Sequence, residues 1–347
     1  MKTIKINDLV RDNIKKLVPY SSARNEYSGS DAIFLDANEN PNNEPFNRYP
    51  DPLQIKVKKM VGEIKNISPE KIFLGNGSDE AIDLLIRIFC QPTADAILSV
   101  DPTYGMYKVC ADINEVRYES VPLKKNFQPD TDLMLKSFDK NTKLLFLCSP
   151  NNPTSNSFNE EAMRYLTEKF NGLVILDEAY IDFSASKSLL PLLDEYQNLV
   201  ILQTFSKAWG LAGIRLGMCF ADEGVISVMN RVKYPYNINR LTLAIVQEAL
   251  LLKKDEKNNW VKEILAERER VARILADSGQ VIKVYPSDAN FLLVKVKDPV
   301  LLYRHLVGKK IIVRDRSKVN LCEGCLRFTI GTRTENDQLL KAIKTFK

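Results

Sequence analysis

Short apolar runs at 96–100, 144–148, 173–176 and 200–203 alternate with stretches whose apolar residues return every three or four positions. Runs of that length suit strands buried on both faces, and helical spacing between them gives βαβ units. The pattern predicts an α/β fold on a mostly parallel sheet. Each run ends in a polar segment: DPTYG after the first, SPNNPT after the second, DEAY after the third and TFSKAWG after the fourth. In open sheets of this kind ligands collect beyond the carboxyl ends of the strands, so the four segments are expected to converge on one site.

Upstream, GNGSDEAIDLLIRIFC sets Ile82, Leu85, Ile86 and Phe89 on one helical face, with Ser78 or Asp79 available as a cap. Gly75 and Gly77 stand just before that helix, where free backbone amides can hold a phosphate. A glycine turn before an amphipathic helix reads equally well from this segment alone. It matches neither GxGxxG nor GxxxxGK[ST], which argues against dinucleotide and P-loop sites. Beyond about residue 240 the texture changes to a charged helical region over 241–278, then strands at 281–285, 291–296, 311–313 and 326–330. Three parts are therefore expected: 1–30 as an N-terminal arm or part of the small domain, 31–240 as a large domain, and 241–347 as a smaller α+β domain.

The composition is that of an ordinary globular protein, with 45% apolar and 27% charged residues among 347. No run of about 18 apolar residues appears, so neither a signal peptide nor a membrane span is expected. The net charge is +5, but Lys and Arg are interleaved with Asp and Glu, and no nucleic-acid partner is expected. Six scattered cysteines read as reduced thiols of a cytoplasmic protein. The Cys322-x-x-Cys325 pair has no second pair to complete a zinc site, and packing is the better reading. The only histidine, His305, lies in the apolar stretch VLLYRHLV, which sets aside catalysis built on histidine.

Pyridoxal phosphate chemistry needs a lysine for the aldehyde, a carboxylate for the pyridine nitrogen, and donors for the phosphate and the 3' oxygen. Lys207 follows an apolar run, and Arg215 stands eight residues later in GLAGIRLG. Thr204, Ser206 and Arg215 are suited to phosphate by hydroxyl and guanidinium contacts. Asp177 closes LVILD, Tyr180 follows it, and Asn152 sits in SPNNPT. Each has a plainer alternative: a helix cap for Asp177, packing for Tyr180, a turn for Asn152.

Taken together, SPNNPT, DEAYIDF, TFSKAWGLAGIRLG and CLRFTIGTR resemble, in order and spacing, the class I and II aminotransferases of pyridoxal phosphate fold type I. More narrowly, LVPYSSAR, LDANENP, NRYPDP, GNGSDEAIDLLIRIFC and DPTYGMY are similar to the histidinol-phosphate aminotransferase family, and the matches span nearly the whole chain. The resemblance implies pyridoxal 5'-phosphate as cofactor, Lys207 as its Schiff-base lysine, and Asp177 as the partner of the pyridine nitrogen. It implies that Tyr180 and Asn152 bond the 3' oxygen and that Tyr104 stacks on the ring. The phosphate would be held by the amides of Gly77 and Ser78, by Thr204, Ser206 and Arg215, and by Tyr49 of a partner subunit in a homodimer with a shared active site. Arg327 would anchor the anionic end of the substrate, with Arg314 and Tyr20 assisting. The implied substrates are L-histidinol phosphate and 2-oxoglutarate. Rival expectations are an aromatic amino-acid aminotransferase and a threonine-phosphate decarboxylase. Two positions depart from the family pattern: Ser155 replaces a usual glycine, which strains the backbone if φ is positive there, and Trp209 stands where phenylalanine is commoner.

Overall fold

The computed structural model describes residues 5–19 and 33–346. Its large sheet contains β1 (Ile72–Asn76), β2 (Ala96–Asp101), β3 (Arg117–Pro122), β4 (Thr142–Cys148), β5 (Leu173–Asp177), β6 (Leu199–Thr204) and β7 (Leu216–Ala221). The strand order is β1-β7-β6-β5-β4-β2-β3. Neighbours from β3 to β6 are parallel, whereas β7 runs antiparallel to both β1 and β6. The four apolar runs are β2, β4, β5 and β6, at the middle of the sheet.

Alternation along these strands divides the core between the two faces. Leu145, Leu147, Val174, Leu176 and Ile201 enter one cluster, while Leu144, Phe146, Ile175, Val200 and Leu202 enter the other. The second cluster takes the buried face of the helix Gly77–Phe89, including Ile82, Leu85, Ile86 and Phe89. It also takes Ile6, Val10 and Ile14 from near the N-terminus, where Arg231 donates to the carbonyls of Ile14 and Lys15 at 2.9 and 3.2 Å. The helix Gly77–Phe89 has Asn76 as N-cap with no side-chain cap bond. Neither Ser78 nor Asp79 caps it; Glu80 instead reaches back and accepts from the Asn76 amide at 2.5 Å.

The second sheet has the order β10-β11-β9-β8, from β8 (Val281–Val284), β9 (Phe291–Val296), β10 (Arg314–Asp315) and β11 (Cys325–Thr329), and is antiparallel throughout. Leu292, Val294, Leu326 and Phe328 pack with Val271, Leu275, Leu302, Leu306 and Ile343 from three helices. The intervening residues Leu293 and Cys325 join a core of the large sheet instead, so this face of the small sheet looks toward it. Arg327 alternates with Leu326 and Phe328 and lies on that same face.

Two expectations about elements need correcting. The β-branched run 311–313 is not a strand: Ile311 donates its amide to Leu306 in the turn leaving the helix Pro299–Gly308, and pairing begins only at Arg314. The helical region 241–278 is two helices, Arg240–Leu252 and Lys254–Ala276, parted at Lys253. His305 is structural, with Nε2 3.1 Å from the Ala342 carbonyl of a neighbouring helix.

Candidate active site

Five chain segments, those after β1, β2, β4, β5 and β6, leave the carboxyl rim of the large sheet together and close around a cavity of about 180 Å³. Gly77, Ser78, Tyr104, Asn152, Asp177, Tyr180, Thr204, Ser206, Lys207 and Arg215 all line it. Ten of the residues singled out in the sequence are therefore brought together, and the convergence expected of the strand ends is observed.

Asp177 ends β5 and is 2% exposed. Tyr107 donates its hydroxyl to Oδ2 at 2.8 Å, and the Ala179 amide donates to Oδ1 at 3.1 Å. Burial pushes the Asp177 carboxyl up to about 6, against the pull of these two donors. Among the described residues no lysine or arginine forms an ion pair with it. A buried carboxylate that faces a cavity without an ion-pair partner in contact is under-compensated, and a protonated ring nitrogen is the group that would complete it.

Lys207 is half-buried, with Nζ 5.5 Å from the centre of the Tyr180 ring. Burial first, and then the nearby Arg327, hold its ammonium below the usual lysine range, while Arg215 contributes least. The larger cationic part is therefore that of Arg327. The Tyr180 hydroxyl lies 3.5 Å from Asn152 Nδ2, and Tyr104 donates to Asp79 Oδ1 at 3.0 Å.

At the other end of the cavity the first turn of the helix Gly77–Phe89 presents amides that have no intrahelical acceptor. The Gly77 amide is already engaged, donating to the Arg215 carbonyl at 2.9 Å, so free donors begin at Ser78. Gly77 has φ +72°, and a Cβ there would stand 2.7 Å from Arg215 Nη2. On β7 a Cβ at Gly217 would meet the Ser78 nitrogen at 2.2 Å, so both glycines permit this close approach. Arg215 Nη1 lies 3.4 Å from Ser206 Oγ, and its Nη2 lies 3.4 Å from Asp79 Oδ2. The Thr204 hydroxyl accepts from the Ser206 amide at 3.1 Å. A guanidinium, two hydroxyls and a helix N-terminus form a donor set that fits a phosphate. Carboxylate, lysine and phosphate cradle thus suit pyridoxal phosphate at its ring nitrogen, aldehyde and phosphate.

A second cleft of about 640 Å³ shares Tyr104, Asn152, Tyr180 and Lys207 with this cavity and is closed opposite by Arg314, Arg316 and Arg327. Arg327 Nη1 donates to Asn152 Oδ1 at 2.5 Å, and its guanidinium lies 5.1 Å from the centre of the Phe291 ring. Tyr49 is elsewhere: it lines a separate cavity of about 530 Å³, is 50% exposed, and stacks on Tyr236 at 4.4 Å. Tyr20 lies outside the described residues. Sequence reasoning missed Asp79, Tyr107 and Arg316. Tyr107 stands one helical turn beyond Tyr104, a spacing that marks a shared face and was the available signal.

A mostly parallel sheet that presents a buried aspartate, a lysine and a phosphate cradle at one rim is the architecture of the pyridoxal-phosphate enzymes of fold type I. Residues 22–343 match the family model for aminotransferase class I and II. Histidinol-phosphate aminotransferase from Bacteroides thetaiotaomicron is 53% identical over 348 residues, which covers 100% of both chains. The chain belongs to the class I and II aminotransferases and, within them, to the histidinol-phosphate aminotransferase family. The crystal structure of the histidinol-phosphate aminotransferase from Clostridium acetobutylicum superposes with a TM-score of 0.77 at 25% identity, over 86% of this chain and 90% of that one. The Sinorhizobium meliloti counterpart, in complex with pyridoxal-5'-phosphate, gives 0.79 at 24% identity over 86% of this chain and 82% of that one.

Proposed function

We propose that this protein transfers the amino group of L-histidinol phosphate to 2-oxoglutarate, giving imidazole-acetol phosphate and L-glutamate in histidine biosynthesis. The observation that carries this reading is the arginine face of the small sheet, set across one cleft from Lys207, which also lines the adjoining cavity of Asp177. The names of the full-length relatives support the particular substrate.

When bound, pyridoxal phosphate supplies an aldehyde for the amino group and a ring that stores the electrons released at the substrate α-carbon. Asp177 would hold the ring nitrogen protonated, Asn152 and Tyr180 would bond the 3' oxygen, and Tyr104 would cover the ring. Ser78, Thr204, Ser206 and Arg215 would hold the phosphate. Lys207 would hold the aldehyde through Nζ in the resting enzyme. Its Nζ would then take the α-proton, because burial and Arg327 favour the neutral amine that a base requires. Arg327, with Arg314, would grip the phosphate of one substrate and a carboxylate of the other, so the two use one site in turn with ping-pong kinetics.

Residues 31–240 would form the cofactor-binding unit, 241–347 the unit that brings the arginines, and 1–30 an arm. The stacking of the exposed Tyr49 on the half-buried Tyr236 suits a homodimer in which Tyr49 reaches the cofactor phosphate of the partner subunit. All six cysteines are buried and unpaired, and among the described residues no helix is long and apolar enough to cross a membrane. Both facts fit a cytoplasmic location.

The test is a titration of the cofactor's visible absorption with L-histidinol phosphate and, separately, with phenylalanine, beside Lys207→Ala. Bleaching by histidinol phosphate at much lower concentration, reversed by 2-oxoglutarate, is expected. A stronger response to phenylalanine would retain the aminotransferase and remove the substrate, and a visible band indifferent to Lys207 would sink both.

A further inference from the structure

Strand register places a third cation beside the two arginines that the family resemblance singled out. Arg314 on β10 pairs directly with Arg327 on β11. Arg316, two residues further on, lies on the same face by alternation, and its amide continues the ladder by donating to the Cys325 carbonyl at 3.0 Å. All three side chains line the cleft that holds Lys207. Like charges directly opposite each other weaken a sheet, and none of the three forms an ion pair among the described residues. The acids nearest in sequence are otherwise placed: Asp315 points to the opposite face by alternation, and Glu323 accepts from the Leu321 amide at 3.1 Å, while Asp101 of β2 accepts from Asn320 at 2.8 Å.

Nε of Arg316 and Nε of Arg327 are buried without a hydrogen-bond partner. Burial and the neighbouring guanidiniums both loosen the hold of Arg316 on its proton. Unpaired buried donors on like-charged groups cost stability until an anion arrives, so the cluster is built for a ligand more than for the fold. A carboxylate offers two oxygens and one charge, which a single guanidinium can satisfy in bidentate fashion. A phosphate monoester offers three terminal oxygens and up to two charges, so it has acceptors left for further donors.

We infer that Arg316 is a specificity-determining residue, which gives the cleft its preference for a doubly charged terminal group over a singly charged one. The inference deepens the reading above and rests on it for the identity of the natural substrate. Arg316 is held in place by the turn that follows, in which Val319 donates to its carbonyl at 2.9 Å and Asn320 is tied across to Asp101.

Calorimetric titration of the cofactor-loaded protein with inorganic phosphate and with acetate tests this, because the cofactor's own phosphate then fills the Arg215 end. Arg316→Gln should weaken phosphate binding about tenfold or more at a pH above the second ionisation of phosphate, the size of one charged hydrogen bond lost. It should leave acetate binding unchanged and flatten the rise in phosphate affinity with pH. Arg316→Lys should restore part of the preference. A melting temperature no lower than that of the parent, without phosphate, would show that the fold is intact. Equal loss of phosphate and acetate, or no loss of either, would overturn the inference. Failure to turn over L-histidinol phosphate would instead remove the substrate reading and leave the contrast between phosphate and acetate standing.

Discussion

The two walls of the cleft are built on opposite terms. The rim of the large sheet is dry and anchored: Asp177 is 2% exposed, takes two hydrogen bonds, and sits at the end of a strand buried along its length. The wall from the small sheet carries cations at its β10 edge and on the neighbouring strand β11, with Arg314 exposed and Arg316 and Arg327 half-buried. A fixed negative group suits chemistry that is the same in every turnover. A wall of guanidiniums without carboxylate partners suits a terminal group that changes between the two half-reactions.

Breaking the chemical wall should have the largest effect. Lys207→Ala is expected to lower kcat by about 10²–10⁴-fold, the usual worth of a positioned acid–base group, and to remove the lysine-dependent visible absorption. Steady-state kinetics and a spectrum of the loaded variant check both. Breaking the other wall should come next: Arg327→Gln removes two charged hydrogen bonds and should lower kcat/KM by about 10²-fold for each substrate in initial-rate assays. A loss confined to one substrate would show that the cleft does not serve both.

The walls should also respond differently to pH. A carboxyl whose folded-state value is raised binds protons on folding between its usual value, about 3.9, and about 6 for Asp177. Its contribution to stability is therefore present in full below that window and is lost as pH rises through about 6. Cofactor-free Asp177→Asn should lack this loss and should be relatively more stable at pH above the window, as read by denaturant melts of the two proteins across pH. Tyr107→Phe should cost about 1.5–3 kcal/mol of the ionised form's stability and push the Asp177 carboxyl higher, so that the loss becomes larger and extends to a higher pH. The smallest effect is expected at Ser155, which has φ +68° as its replacement of a glycine suggested. Ser155→Gly would relieve that backbone but lose the hydroxyl bond to the Pro286 carbonyl at 3.2 Å, for a net change within about 1 kcal/mol in the same melts.

The strands that carry the chemical wall were legible in the sequence because β2, β4, β5 and β6 are buried on both faces and read as unbroken apolar runs. The edge strand β3 escaped because RYESVP shows solvent-facing positions, and β1 and β7 each carry a glycine that interrupts the apolar texture. The phosphate cradle was legible as a motif, but the engagement of the Gly77 amide by Arg215 was not, since it joins residues 138 positions apart through the β1 and β7 pairing. Tyr107 was hidden in the same way, meeting Asp177 across 70 residues. Arg316 was the hardest to find, because its place depends on the register of β10, and the β-branched residues at 311–313 point to a strand just before the real one.

The reversal of β7 has a kinematic consequence. The chain leaves the rim at Thr204 on β6 and returns to it at Leu216 on β7, so the loop between them has both ends clamped in adjacent strands of one sheet. Lys207 and Arg215 ride on that loop as a single body. A rotation of the small sheet to admit or release substrate would change the span from Arg327 to Lys207, while the span from Lys207 to Arg215 stays as the strand pair sets it. Any change in the cleft's width would therefore fall between the two sheets, and the distance between Lys207 and Arg215 would be set by β6 and β7 alone.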